Sequence, residues 1–254
     1  MKISSLACAA LAAMAIAQPS SAAVFFTATN GSNLTASATF DIVGGKLQVV
    51  LNNSSLVDVT VPMDVLTALF FNVSGIGGAA QLGVASASAT SNGPTFLHNV
   101  QKNPAGTNVG GEWAYAGVSS GSLPGTNAGI SSTGLGLFGD ANLNGPDLAG
   151  PPGGALDGLQ YGITSTGDNL ATDNAGVTEI TKHSVTYLLD IAASFSLAQI
   201  SNVSFQYGTG LDEPRITCTV NCGGPPANEI PEPGSAALAG LALLAAASAR
   251  RRKQ

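Results

Sequence analysis

The chain reads as an all-β protein: one sandwich or jelly-roll-like domain, with an N-terminal signal helix and a short C-terminal transmembrane helix. Three observations lead there. Apolar and polar residues alternate with period two in several short runs, as in half-buried strands. These runs are separated by Gly, Asn, Ser and Pro, and Gly alone contributes 32 of 254 residues. No stretch of the middle region sustains a helical period over three turns. Strands at short spacing without long helices are the pattern of sandwiches and barrels.

Charge divides the chain into parts. Only 9% of residues are charged and the formal net charge is −6, with a pI near 4.6. An acidic chain is a poor partner for nucleic acid. The average is misleading, because five of the nine bases sit at the ends: Lys2, Arg250, Arg251, Arg252 and Lys253. Between residues 24 and 232 only Lys46, Lys102, Lys182 and Arg215 oppose all fifteen acids, a net charge of −11.

Residues 1–23 form the first element. Met1-Lys2 is followed by an apolar run from Ile3 to Ala17, then by Gln18, Pro19 and Ser20, then by Ser21-Ala22-Ala23. A basic start, a short apolar core and small residues before the cut define a secretory signal peptide. The expected cut by signal peptidase lies between Ala23 and Val24. Cys8 leaves with this segment, because too little apolar chain precedes it for a lipoprotein signal.

The exported domain is expected over residues 24–220. Leu34, Ala36, Ala38, Phe40 and Ile42 alternate with polar residues. Gly44-Gly45 follows, then Leu47, Val49 and Leu51 alternate again, which is a β-hairpin signal. Val57, Val59 and Val61 suggest a third strand, stopped by Pro62. The apolar run Leu66 to Val73 suits a buried strand. Later strands are expected at Trp113 to Val118, Leu159 to Ile163, Val185 to Ile191 and Val203 to Tyr207, with a brief turn at Leu197 to Ile200. Gly117 to Gly154 reads as a long Gly-rich surface excursion, a place for a binding surface.

Several patterns inside the domain carry chemistry in other proteins. Gly117-Val118-Ser119-Ser120-Gly121 matches a nucleophile elbow, and Gly134 to Gly139 matches a dinucleotide fingerprint. Both need a strand before and a helix after, and no helical pattern follows either. In so Gly- and Ser-rich a chain both are coincidences of composition. Asp140, Asn142 and Asn144 with Gly145 reproduce half of a calcium loop, and Asp147 offers a fourth oxygen. Pro151 stands where the bidentate Glu belongs. Asn-Gly and Gly-Pro turns explain the same residues without metal. Calcium is therefore the only cofactor the spacing leaves open, and no other is expected.

His98 and His183 are isolated and lack metal-site spacing. Glu112 beside Trp113 and Tyr115 resembles a sugar platform, but a single Trp in a sandwich belongs more often to the core. Asp157, Asp168 and Asp173 lie in turn-rich sequence, and no spacing picks out a catalytic carboxyl pair. Cys218 and Cys222 in an exported chain read as a disulfide.

Residues 221–230, with Gly223, Gly224, Pro225 and Pro226, read as a linker. Residues 231–254 form the tail: Pro231-Glu232-Pro233, sixteen uncharged residues at 234–249, and the basic cluster 250–253. As a helix the apolar run reaches about 24 Å, short of a hydrocarbon core of about 30 Å. Basic residues after such a span stay on the cytoplasmic side. Pro-Glu-Pro, a short apolar helix and an Arg cluster, in that order, resemble the PEP-CTERM sorting tail of Gram-negative bacteria. The resemblance implies recognition of Pro231, Glu232 and Pro233 by exosortase, a membrane-embedded peptidase/transpeptidase. Arg250, Arg251 and Arg252 complete the signal. It also implies a transient inner-membrane anchor, then release to the surface or extracellular matrix.

Four blocks in the middle are similar to one family of exosortase-dependent surface proteins: Asn108 to Trp113, Asn144 to Gly150, Leu156-Asp157-Gly158, and Asn202 to Gly208. That similarity implies a location and no activity. Together these readings describe a non-enzymatic surface or matrix protein, structural or adhesive, with extracellular polysaccharide as the expected partner. Two alternatives stand beside it: a secreted glycan or ester hydrolase on a β-sandwich, and a passive surface protein without a small ligand.

Overall fold

The computed structural model describes residues 22–31, 33–75, 77–91, 95–97, 102–103, 106–119, 121–145, 148, 156, 158–169, 179–218 and 220–224. Most of the expected signal segment and all of the expected sorting tail lie outside them. The described residues are mostly β, in two curled sheets, with short 3-10 turns and no α-helix.

The strands in chain order are β1 (Val24–Thr29), β2 (Thr35–Val43), β3 (Lys46–Asn53), β4 (Leu66–Val73), β5 (Leu82–Ser91), β6 (Thr95–Leu97), β7 (Lys102–Asn103), β8 (Ala114–Gly117), β9 (Ala128–Ser131), β10 (Ile163–Thr164), β11 (Glu179–Lys182), β12 (Ser184–Ile191), β13 (Ile200–Tyr207), β14 (Arg215–Thr217) and β15 (Val220–Gly224). The first sheet runs β15-β1-β2-β3-β12-β5. The second runs β14-β13-β4-β10-β11-β6-β7, and β9 also pairs with β4 and carries β8.

The period-two pattern sets the first sheet. Ala36, Ala38 and Phe40 of β2, Leu47, Val49 and Leu51 of β3, and Val185, Tyr187 and Leu189 of β12 are all buried on one face. Gly44 and Gly45 turn the β2–β3 hairpin at φ 59° and 76°, a conformation that costs Gly little. Phe40 joins the sheets: its ring meets Phe26 at 5.5 Å and Phe71 of β4 at 5.3 Å, both edge-on. Trp113 meets Tyr187 of β12 edge-on at 5.4 Å. Burying each such large side chain contributes about 1.5–3 kcal/mol.

The apolar run 66–73 forms β4, and every residue but Asn72 is buried. Leu69, Phe71 and Val73 face the first sheet, within the main core. Ala68 and Phe70 belong to a separate cluster with Val118 and Leu123, against which Leu135, Leu137, Phe138 and Leu211 pack. The region expected as a surface excursion therefore covers the second face of β4. It also contains β9, whose Gly129 passes so close that a Cβ there would sit 2.8 Å from the Phe70 ring.

Three expectations about elements need correction. Val57, Val59 and Val61 form no strand. Only Val59 is buried, in a small cluster with Val65 and Ile180. Their segment instead lies against residues 165–168: Gly167 N donates to Ser55 O at 3.1 Å and Thr166 N to Asn53 O at 3.1 Å. Residues 159–162 form a turn closed by a bond from Gly162 N to Leu159 O, and the strand begins only at Ile163. Residues 221–224, expected as linker, belong to β15, which pairs with β1 at Phe25↔Gly224 and Thr27↔Val220.

The sandwich has two distinct ends. At one, β3 and β13 finish and β4 begins; Asn53 Nδ2 donates there to Ile163 O at 3.0 Å, tying the sheets. Asp58, Asp64, Asp168, Asp212 and Glu213 lie at this end, with Lys182, His183 and Arg215. At the other end β4 finishes beside Gln199 and Asn127, and Ala192 N donates to Gln81 O at 2.8 Å. At this second end segments 74–81, 118–127 and 192–199 contain no charged residue, and the charges there are Asp41, Lys46 and Asp190, at the β2–β3 turn and the end of β12.

Candidate functional site

The outer face of the first sheet is an organised polar surface. Register places its residues in rows. Thr27 lies opposite Ser37, Ser37 opposite Asn52, and Asn52 opposite Ser184. The next row runs Phe25, Thr39, Val50 and Thr186, and the third runs Asp41, Gln48 and Leu188. These side chains are half-buried, standing beside one another between strands about 4.8 Å apart. Thr35 Oγ1 donates to Thr29 Oγ1 at 3.3 Å, and Thr27 Oγ1 to Ala36 O at 3.2 Å. At the rim Lys46 Nζ meets Asp190 Oδ1 at 2.5 Å. That pair is neutral, so Asp41 is the one uncompensated charge on the face. The surface offers hydroxyl and amide groups, the Phe25 ring, and almost no field.

Most residues singled out from the sequence are placed elsewhere, in structural roles. Ser119 is exposed and its carbonyl accepts from Ser122 N at 3.0 Å and Leu123 N, making a tight turn where an elbow needs a helix. It follows β8 toward the second end. His183 lies at the acidic end, a one-residue turn at φ 70° between β11 and β12 whose carbonyl accepts from Asn53 N at 3.0 Å. Burial and the neighbouring Lys182 lower its pKa. Ser119 and His183 are therefore not partners, and His98 lies outside the described residues. Gly134 to Gly139 is a turn with Leu135 at φ 47° and Gly136 at φ 69°, and its apolar side chains lie on Phe70.

The half calcium loop forms a 3-10 turn, Asp140–Asn142. Asn142 Oδ1 accepts from Gly139 N at 3.1 Å, which caps that turn. Asn144 N donates to Gly110 O at 2.8 Å. Asp147 lies outside the described residues, as do Asp157 and Asp173. Among the described residues no group of three His, Cys, Asp or Glu side chains is placed to hold a metal.

Two blocks of the middle region meet here. A Cβ on Gly110 would overlap the Asn144 carbonyl, and one on Gly145 would sit 2.8 Å from Gly110 Cα. Glu112, buried beside them, accepts from Leu148 N. Trp113 and Tyr115 are buried too: Trp113 Nε1 donates to Tyr161 O at 3.0 Å and Tyr115 OH to Ala79 O at 3.1 Å. These aromatics make no platform for sugar at the surface.

Asp168, weighed in the sequence as a turn residue, is 5% exposed and more elaborately held than that. Its carboxylate accepts from Thr164 Oγ1 at 2.5 Å and Val59 N at 3.0 Å. Asp58 reciprocates by accepting from Asn169 N at 2.8 Å. The two carboxyls thus stitch 58–59 to 168–169. Burial raises the Asp168 pKa, and the neighbouring Asp58 raises it further, against the lowering effect of the two bonds. Only the folded topology brings these two residues together.

The domain closes with a disulfide between Cys218 and Cys222, Cα atoms 5.7 Å apart. It clips the crossing from β14 in the second sheet to β15 in the first. Cys218 N also donates to Val203 O at 2.9 Å. The first strand begins at Val24, the residue expected to follow the signal cut. Ala23 precedes it and is half-buried.

Beyond β15 only seven residues remain before Glu232. Residues 229–253 match the model of the PEP-CTERM protein-sorting motif. The chain carries an exosortase sorting signal. The motif covers Pro231, Glu232, Pro233 and the cluster Arg250, Arg251, Arg252, and it marks an exported protein sorted to the surface by exosortase-dependent processing. No curated protein and no solved structure matches the chain. Among the described residues no helix is long and apolar enough to cross a membrane, and the apolar run 234–249 lies outside them.

Proposed function

We propose that the sorted protein is a structural or adhesive component of the cell surface or extracellular matrix, and that the outer face of its first sheet holds uncharged polysaccharide. The near-neutrality of that face carries the reading. The domain as a whole is acidic, and its acids would repel anionic polymers at low salt. Along the rows from Thr27 to Ser184 and from Phe25 to Thr186 the repulsion is weakest, and donors and acceptors repeat at strand spacing. A sugar chain laid across the strands meets a hydroxyl or amide at each step, and the Phe25 ring takes an apolar C–H face. We assign it no reaction and no cofactor.

The test is retention on immobilised neutral glucans against an acidic polysaccharide, with Gln48→Leu and Asn52→Leu introduced together. Leu can occupy both outward strand positions, while two amide partners are lost. Each lost bond is worth about 1 kcal/mol, so retention should fall by about tenfold or more. Unchanged retention in the double variant, or preference for the acidic polymer, contradicts the proposal.

A further inference from the structure

The turn between β1 and β2 is built around one side chain. Asn30 Oδ1 accepts from Asn33 N at 3.3 Å and from Leu34 N at 3.2 Å, and Asn30 N donates to Leu34 O at 3.2 Å. Leu34 is buried in the main core, so these bonds fix the turn. Asn30 and Gly31 themselves are exposed. Gly31 sits at φ 76°, and a Cβ there would meet nothing within 4 Å.

Asn followed by Gly carries a latent reaction. The chain itself holds the Gly backbone N where it can close a five-membered ring onto the Asn Cγ, so the two groups react as one molecule. Without a Cβ, Gly hinders that approach least. At position 30 the side-chain oxygen already accepts two backbone N–H groups, and these donors stabilise the negative charge that develops on it during attack. Gly31 N donates to Thr29 Oγ1 at 3.3 Å, a long bond that is cheaply given up.

The same dipeptide occurs a second time among the described residues, and there the fold opposes the reaction. Asn144 N donates to Gly110 O at 2.8 Å, and the preceding Leu143 bridges to Ala114. A Cβ on Gly145 would lie 2.7 Å from Gly111 N. Gly145 is thus wedged against residues 110–111, and swinging it toward the Asn144 side chain displaces them. The third case, Asn92-Gly93, lies outside the described residues.

We propose that Asn30-Gly31 is a self-modification site, an amide that the folded domain converts to aspartate and isoaspartate without an enzyme. Gly31 N bonds to Asn30 Cγ, the Cγ–Nδ2 bond breaks, and ammonia leaves with the amide proton. Water then opens the succinimide. Opening at Cγ gives aspartate, which keeps an acceptor for Asn33 N and Leu34 N. Opening at the main-chain carbonyl carbon gives isoaspartate, which lengthens the backbone of the turn. Either product adds a negative charge beside the outer face of the first sheet. Thr29 and Thr35 lie there one step, about 7 Å, along from Thr27 and Ser37. The conversion rests on the turn alone, so it stands or falls independently of the polysaccharide reading.

The purified chain is aged at mildly alkaline pH, folded and in urea, and digested with trypsin. Cleavage after Lys46, Lys102 and Lys182 puts Asn30, Asn92 and Asn144 in separate peptides. Fragment masses and isoaspartate methylation locate the product. In urea Asn30 and Asn144 should convert at comparable rates. On folding, Asn30 should keep that rate or exceed it, while Asn144 slows by about tenfold or more, as a barrier higher by about 1.4 kcal/mol gives. Asn30→Gln, whose longer side chain needs a larger ring, should abolish conversion in its peptide. If folding slows Asn30 as much as Asn144, or if the Asn30→Gln peptide converts at an undiminished rate through Asn33, the proposal is overturned.

Discussion

Gly167→Ala is the sharpest test of how the acidic end is built. Residues 53–59 and 164–169 run together there through six bonds: Thr166 N and Thr166 Oγ1 to Asn53 O, Gly167 N to Ser55 O, Ser165 Oγ to Val57 O, Val59 N to Asp168 Oδ1 and Asn169 N to Asp58 Oδ1. A Cβ on Gly167 would overlap the Leu56 carbonyl and lie 2.8 Å from Leu56 Cα. Those atoms are backbone, so no rotamer change relieves the clash. The two segments must separate, breaking two or three of the six bonds at about 1 kcal/mol each. A cost of about 2–3 kcal/mol lowers the melting temperature of a domain this size by roughly 5–10 °C. The control is Gly139→Ala. Its φ is −157° and a Cβ there meets nothing within 4 Å, so it should be neutral or slightly stabilising. Thermal unfolding by circular dichroism compares the two. Equal melting temperatures would refute the close approach of 56 and 167, and with it the Asp58–Asp168 stitch.

Two further outcomes follow from the same geometry. Reducing the Cys218–Cys222 bridge, or replacing both residues by Ser, should cost about 2 kcal/mol, because the loop it closes is short. A urea titration with and without reductant reads this as a lower midpoint at unchanged slope. The raised pKa of Asp168 makes its stabilising effect complete below the ordinary carboxylate range, near pH 4, and lost as pH rises through the higher folded value. The domain should therefore lose some stability as pH rises above the ordinary carboxylate range. Asp168→Asn should flatten that slope while keeping an acceptor for Val59 N. A slope that is unchanged in Asp168→Asn would assign the effect to another group.

The parts of the fold that were legible in the sequence are those where side-chain period and burial coincide. The alternation of Leu34 to Ile42 and of Leu47 to Leu51 around Gly44-Gly45 became the β2–β3 hairpin because one face of that sheet is core and the other is open. The run 66–73 was legible for the opposite reason, being buried on both faces. Alternation misled at Val57, Val59 and Val61, where backbone pairing with 165–168 turns two of the three valines outward. The strand β5 is spelled Leu-Gly-Val-Ala-Ser-Ala-Ser-Ala-Thr-Ser, and its small residues carry too little hydrophobic contrast to announce it. Residues 117–154 read as exposed because Gly and Ser dominate, yet Val118, Leu123, Leu135, Leu137 and Phe138 are enough to cover Phe70. β15 was hidden by its glycines: its strand character comes from the edge that β1 offers, a long-range effect.

The candidate surface was legible only as composition. An excess of Ser, Thr and Asn pointed to hydrogen bonding, but register alone puts Thr27, Ser37, Asn52 and Ser184 in one row. The Asp58–Asp168 pair joins residues 110 positions apart and leaves no local mark. The sorting signal is the reverse case. It is a linear pattern, and Pro231-Glu232-Pro233 with its apolar run and Arg cluster was legible without any long-range contact.

The central claim is that exosortase-dependent processing delivers this domain to the surface, and the intact mass of the surface-associated protein tests it most directly. The account predicts a species that begins at Val24, lacks Arg250, Arg251 and Arg252, and disappears from the surface in cells without exosortase. A surface species that retains the Arg cluster, or that forms equally without the enzyme, would contradict it.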